Sequence, residues 1–211
     1  MSTSSTELQM APPLVHPSRR VLLALAIIIV VLFVAMLATS QDVSYDTKTA
    51  DIESAFGSSL ISSQIGAYVG MVFVALLLFF GSAVRNALKT SAGSWYADPV
   101  FLGFGALAAT FASWCVTDIA LWKAVDYGDA TVIRTVAVIS DAGFLPVMAS
   151  MMALYIGSGL AGLTSGSLPR WLSIASIVVG VTAPLGPLGF IGFMTLPLWL
   201  VAVAVWVRLE P

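Results

Sequence analysis

The chain has 211 residues, of which 59% are hydrophobic and 9% charged, with a formal net charge of -2. A soluble domain carries about 25% charged residues, so charge here is too sparse to coat a water-facing protein, whereas a surface against acyl chains needs none. The nine basic residues are scattered and form no stripe able to neutralise a phosphate backbone, which argues against a nucleic-acid partner.

Residues 1–18 are rich in Ser, Thr and Pro and read as a disordered tail ending at Arg19 and Arg20. Residues 21–38 then form an unbroken apolar run, which spans about 27 Å as a helix and is long enough to cross a bilayer. The pair Arg19-Arg20 ahead of this run also fits a twin-arginine export signal, with Ala38-x-Ser40 as a cleavage site. A signal peptide, however, has an apolar core of about 7–15 residues, so a retained helix anchored by two cytoplasmic arginines is the better reading.

Residues 41–59 are polar, with Asp42, Asp46, Asp51 and Glu53 against Lys48, and read as an outer loop. A second apolar run covers 60–82 and contains Gly66-x-x-x-Gly70, a spacing that permits close helix packing within the bundle or between protomers. A polar connection over 85–96 carries Arg85 and Lys89. Asp98-Pro99 then starts a third helix over 99–121, with Asp98 as its cap and Pro99 in its first turn.

A turn over 122–130 leads to a fourth helix over 131–156 and a Gly/Ser-rich loop over 157–169. The remaining apolar stretch, 171–207, is too long for one crossing of a bilayer about 30 Å thick. Pro184-Leu-Gly-Pro-Leu-Gly189 in its middle is turn chemistry, which gives two helices over 170–186 and 189–207, with a re-entrant loop as the competitor.

The expected fold is therefore all-α: a disordered tail over 1–18 and, over 19–211, a bundle of six transmembrane helices with both termini cytoplasmic. In that orientation Arg19, Arg20, Arg85, Lys89, Arg170 and Arg208 lie inside, and the outer loops hold Lys48 and Lys123. Trp95, Trp122, Trp171 and Trp206 fall near helix ends, as an interfacial belt would.

The chemistry on offer is narrow. One cysteine, Cys115, and one histidine, His16 in the tail, leave no internal disulfide, no cysteine zinc cluster and no paired-imidazole site. Ionisable groups within a span are costly and ask for a partner or a purpose; here they are Asp118, Arg134 and Asp141. Asp118 and Arg134 fall near the outer ends of two antiparallel neighbours, at matched depth, and read as an ion pair locking the hairpin or as part of an outer ligand site.

Asp141 falls near mid-bilayer. Pro146 lacks the N–H that would bond the Ala142 carbonyl, and a freed carbonyl beside a carboxylate is a candidate proton or cation site. A structural hydrogen bond to Ser140, Thr117 or Ser113 is the other reading. A membrane enzyme needs a base with a nucleophile or metal in reach, and these groups supply neither, so no enzymatic activity, metal or cofactor is expected. The chain reads as a non-catalytic membrane component that binds a hydrophobic ligand or a partner, either another membrane protein or a second copy. A small secondary transporter or ion pathway using Asp141 is the alternative.

The stretch Gly166-Ser-Leu-Pro169-Arg170-Trp171-Leu-Ser-Ile, followed by one apolar helix and another containing Trp199, resembles a junction in small polytopic membrane proteins of actinobacteria. Those are grouped only as a domain of unknown function. The resemblance covers about half of the chain and extends to the acidic first outer loop; Ser173 stands where those proteins usually have Gly. It implies a multi-pass topology in a bacterial inner membrane and adds no catalytic residue.

Overall fold

The computed structural model describes residues 18–40, 43, 46–58, 60–89 and 94–208, with the side chains of 58, 60–63 and 94 left aside. The expected N-terminal tail, with His16, lies outside the described residues except for Ser18.

Every regular element among the described residues is helical: α1 (Arg19–Thr39), α2 (Thr49–Ser58), α3 (Leu60–Leu88), α4 (Ala97–Tyr127), α5 (Ala130–Ala142), α6 (Phe144–Ser165), α7 (Arg170–Thr182) and α8 (Pro187–Trp206), with a 3-10 turn at Ser94–Tyr96. Five stretches are long and apolar enough to cross a membrane: Arg19–Thr39, Gln64–Leu88, Ala97–Tyr127, Ala130–Ser165 and Pro187–Trp206. Arg170–Thr182 is a shorter apolar helix.

The helices face the wrong way for water. α1 buries Leu22, Ala26, Ile29 and Phe33, a stripe at helical spacing. Its opposite face exposes Ile27, Ile28, Val31 and Val34. α7 and α8 expose Ile174, Val178, Val181, Ile191 and Leu198 in the same way. Aliphatic side chains on outward faces are stable only against an apolar solvent.

Contacts between helices fix their relative register. α6 and α7 form an antiparallel hairpin in which a Cβ on Gly159 would strike the Ser173 carbonyl and Ile177, and one on Gly180 would come within 2.6 Å of Ile156 Cγ1. α8 returns alongside: Trp199 Nε1 donates to Ser176 Oγ at 2.9 Å, and Trp171 meets Trp206 edge to face at 5.1 Å. The Arg208 N–H donates to the Ser167 carbonyl at 2.9 Å, and Arg19 Nη2 to the Val207 carbonyl at 3.3 Å. Arg19, Arg170 and Arg208 therefore share one end of the bundle.

At the other end Gly66 meets Thr39, Gly143 meets Trp114, Phe144 meets Phe190, and Gly189 meets Ala183. From the basic end to this level, α1, α3, α6 and α8 each advance about 30 Å at 1.5 Å per residue. Between the two levels no charged side chain occurs in any helix: the nearest are Arg85 and Asp98 at the basic end and Asp118 and Asp141 at the other. The bundle is a charge-free slab about as thick as a hydrocarbon core.

Past the slab, the last turns of α4 run on with α2 and α5 as a small separate layer. Its own core is Ile52, Phe56, Leu121, Ala124, Ile133 and Ala137. Asp46, Lys48, Asp51, Glu53, Lys123, Asp126, Asp129 and Arg134 belong to this layer. α4 ends at Gly128, whose positive φ of 68° turns the chain, and Asp129 caps α5 by accepting from the N–H groups of Thr131 and Val132 at 3.0 and 3.1 Å.

Several expected boundaries move. The loop over 41–59 contains α2, and the turn over 122–130 is mostly helix because α4 continues to Tyr127. The helix expected over 131–156 is two helices that break at Gly143. The Gly/Ser-rich loop over 157–169 stays helical to Ser165, because its glycines serve packing against α4 and α7 instead of turning the chain. Asp98 does not cap α4: the 3-10 turn feeds straight into the helix, and Asp98 instead pairs with Arg85 Nη2 at 2.6 Å and Lys89 Nζ at 3.3 Å. The turn expected at Pro184–Gly189 is present but shifted toward the N-terminus: α7 ends at Thr182 instead of 186, Gly186 has φ 55°, and Pro187 opens α8.

Candidate functional site

A cavity of about 510 Å³ lies where the slab meets the outer layer. The C-terminal turns of α1 supply Met36, Leu37, Thr39 and Ser40, and Phe56 of α2 lies against it from the layer. Trp114, Cys115 and Asp118 come from α4, Ser140 and Asp141 from the end of α5, Phe144 from α6, and Phe190, Phe193 and Met194 from the start of α8. A volume of that size suits a small organic molecule.

The floor is aromatic and continuous with the core. Phe193 packs on Phe33 at 5.3 Å, Phe111 at 6.1 Å, Trp114 at 6.4 Å and Phe144 at 6.1 Å between ring centroids. Phe73 closes on Phe111 at 4.9 Å. These rings fill the bundle beneath the cavity, and Phe33, Phe73, Phe111 and Phe193 are all buried. The polar groups gather instead on the walls that α1, α4 and α5 provide.

The break at Gly143 shapes one wall. A Cβ on Gly143 would collide with the Trp114 indole, so only glycine lets the chain pass this close to α4. Pro146 follows in the first turn of α6 and has no N–H to offer the Ala142 carbonyl. Both features are legible in the sequence, yet without the packing they do not reveal a helix end.

The sequence-derived site residues divide. Asp118, half-buried, and Asp141, exposed, line the same cavity. Arg134 does not: its Nη1 donates to the Thr47 carbonyl at 3.1 Å, tying α5 to the segment that leads into α2. No ion pair forms between Asp118 and Arg134; among the described residues the ion pairs are those of Asp98.

Asp141 is the penultimate residue of α5, and the structure divides 131–156 at Gly143 where one straight helix was expected; Ile133 and Ala137, earlier in α5, pack in the core shared with α2. Two of the hydroxyls offered as partners for Asp141 are engaged elsewhere, Ser113 with the Ala109 carbonyl and Thr117 with the Trp114 carbonyl, while Ser140 lines the cavity beside it. The aromatic and thioether lining was not anticipated from the sequence. Its signal was weak, since Phe144, Phe190, Phe193 and Met194 look like any apolar helix residues until α6 and α8 are brought together.

Gly66 and Gly70 face neighbours within the chain. A Cβ on Gly66 would come within 2.6 Å of Thr39 Oγ1, and one on Gly70 would meet Cys115 Sγ. The motif thus packs α3 against α1 and α4 beside the cavity. Cys115 is a free, buried thiol, and no group of three or more His, Cys, Asp or Glu side chains gathers among the described residues.

Five candidate membrane-spanning helices with aliphatic outward faces make this chain, by its fold, an all-helical membrane protein. Compared with protein-family models, with curated proteins and with solved structures, it finds no significant match.

Proposed function

We propose that the chain is a multi-pass protein of a bacterial inner membrane that holds a small amphipathic molecule in the cavity at its outer boundary, without catalysing a reaction on it. The cavity carries this reading: an apolar floor of rings and thioethers under walls bearing hydroxyls and carboxylates matches a ligand with one apolar and one polar end. Among the described lining residues no hydroxyl or thiol is hydrogen-bonded to a carboxylate, so binding is the chemistry we assign to these side chains. The partners are then the bilayer and the ligand, with another membrane protein or a second copy as recipient of what is bound.

In this reading the protein crosses the membrane six times with both termini cytoplasmic. Supporting it, the turn after α7 meets the start of α8 through Ala183 and Gly189, and the start of α8 meets that of α6 through Phe190 and Phe144, while Arg19, Arg170 and Arg208 gather at one end in keeping with the positive-inside rule. The resemblance of the Gly166–Ile174 junction to actinobacterial membrane proteins points to the same location. The test is titration of the detergent-purified chain with N-phenyl-1-naphthylamine, a dye that brightens in apolar sites. Saturable binding that Ser140→Trp abolishes supports a ligand cavity; binding no different from empty micelles overturns it.

A second reading, an ion or proton pathway through Asp141, draws on the helix break beside that residue, a feature transporters place at their sites. Against it, the buried rings of Phe33, Phe73 and Phe111 pack the bundle directly below the cavity. Asp141→Asn in proteoliposomes separates the two: a pathway loses ion-coupled flux, whereas a binding protein shows none to lose.

A further inference from the structure

Among the described residues that line it, the cavity carries charge of one sign: Asp118 and Asp141, with no lysine, arginine or histidine. Among the described residues, neither carboxylate has an ion pair or a hydrogen bond from a side chain. Arg134 lies about 10 Å back along α5 and is held by the Thr47 carbonyl. A partly desolvated carboxylate without a partner is costly, and a bound cation relieves that cost.

One further feature acts in the same direction. The aromatic lining adds ring faces, which attract cations through their quadrupoles. A bare divalent metal ion fits less well, because it takes about six or more oxygen ligands and the site offers two carboxylates and a few hydroxyls. A neutral or anionic amphiphile would leave both carboxylates unanswered.

We infer that the molecule held in this cavity is an organic cation, an amphipathic amine or onium compound, with its positive centre toward Asp118 and Asp141 and its apolar part against Phe144, Phe190, Phe193 and Met194. This rests on the cavity being a ligand site. Of the two carboxylates, Asp118 contributes more, since it is less exposed and less screened by salt.

The experiment is calorimetric titration of the detergent-purified full chain with three probes: tetraphenylphosphonium, its shape-matched anion tetraphenylborate, and neutral N-phenyl-1-naphthylamine. The phosphonium should bind at least about tenfold more tightly than the borate. Asp118→Asn combined with Asp141→Asn should weaken the phosphonium by about tenfold or more, while binding of the neutral probe is retained and reports that the variant is folded. The phosphonium–borate comparison needs no variant at all. If the neutral probe binds but the phosphonium shows no preference over the borate, or ignores the double substitution, the cation assignment is overturned and the ligand cavity stands. If no probe binds saturably, the cavity reading fails and the cation assignment with it.

Discussion

The indole of Trp199 donates to the hydroxyl of Ser176 at 2.9 Å, across the interface between α8 and α7, where both residues are buried. Ser176 Oγ in turn donates to the Leu172 carbonyl one turn back, at 2.8 Å. The bond joins two helices connected by a short turn and fixes the register in which α8 returns along α7. Ser176→Ala leaves the indole N–H without its partner and should cost about 1 kcal/mol, the scale of side-chain hydrogen bonds within membranes. Unfolding in mixed detergent–SDS micelles measures it. Trp199→Phe should cost no more than the loss of that bond plus a small packing change, and an unchanged midpoint for both variants would show that the bond contributes nothing.

Glycine position decides the sign of a helix substitution. A Cβ on Gly103 would come within 2.7 Å of the Leu154 backbone nitrogen, whereas one on Gly105 meets nothing within 4 Å. Backbone cannot yield as a side-chain tip can, so Gly103→Ala should destabilise by about 1–3 kcal/mol. Gly105→Ala should be neutral or stabilising by up to about 1 kcal/mol, because alanine lowers the entropy lost on forming the helix. The same SDS titration tests both, and equal effects would contradict the packing of α4 on α6.

Asp118 and Arg134 should behave as independent residues. Arg134 bonds the Thr47 carbonyl and Asp118 faces the cavity, so a double-mutant cycle of Asp118→Asn and Arg134→Gln should give a coupling energy within about 0.5 kcal/mol of zero. A coupling well above that value would restore the ion pair expected from sequence.

Reporter fusions test the orientation. After residues 47 and 128 the reporter should be active outside, and after residues 89, 167 and 208 it should be active inside. The last two agree because α7 and α8 together cross out and back. A reporter after residue 208 found outside, with the one after 167 inside, would mean that the α7–α8 segment crosses once and would remove the six-span topology.

The sequence by itself determined the class and the approximate helices of this protein. A charge fraction of 9% and apolar runs of crossing length allow few soluble solutions, and turn chemistry at Pro184–Gly189 divides the last run where the chain does turn. Those are local or compositional properties, set by solvent and backbone geometry, and they need no partner residue to be read. It also singled out Asp118 and Asp141, because an ionisable group in an apolar helix is conspicuous wherever it lies.

Tertiary structure alone decided placement and company. Residues 131–156 read as one straight helix, but the structure divides them at Gly143, where the chain passes close to Trp114, and packs α5 with α2. That places Asp141 at the end of α5 beside the cavity and Arg134 against Thr47. The cavity itself is made by helices far apart in sequence, α1, α4 and α8. Its rings are apolar residues like their neighbours, and hydrophobic periodicity records which face a residue is on without recording which helix it meets.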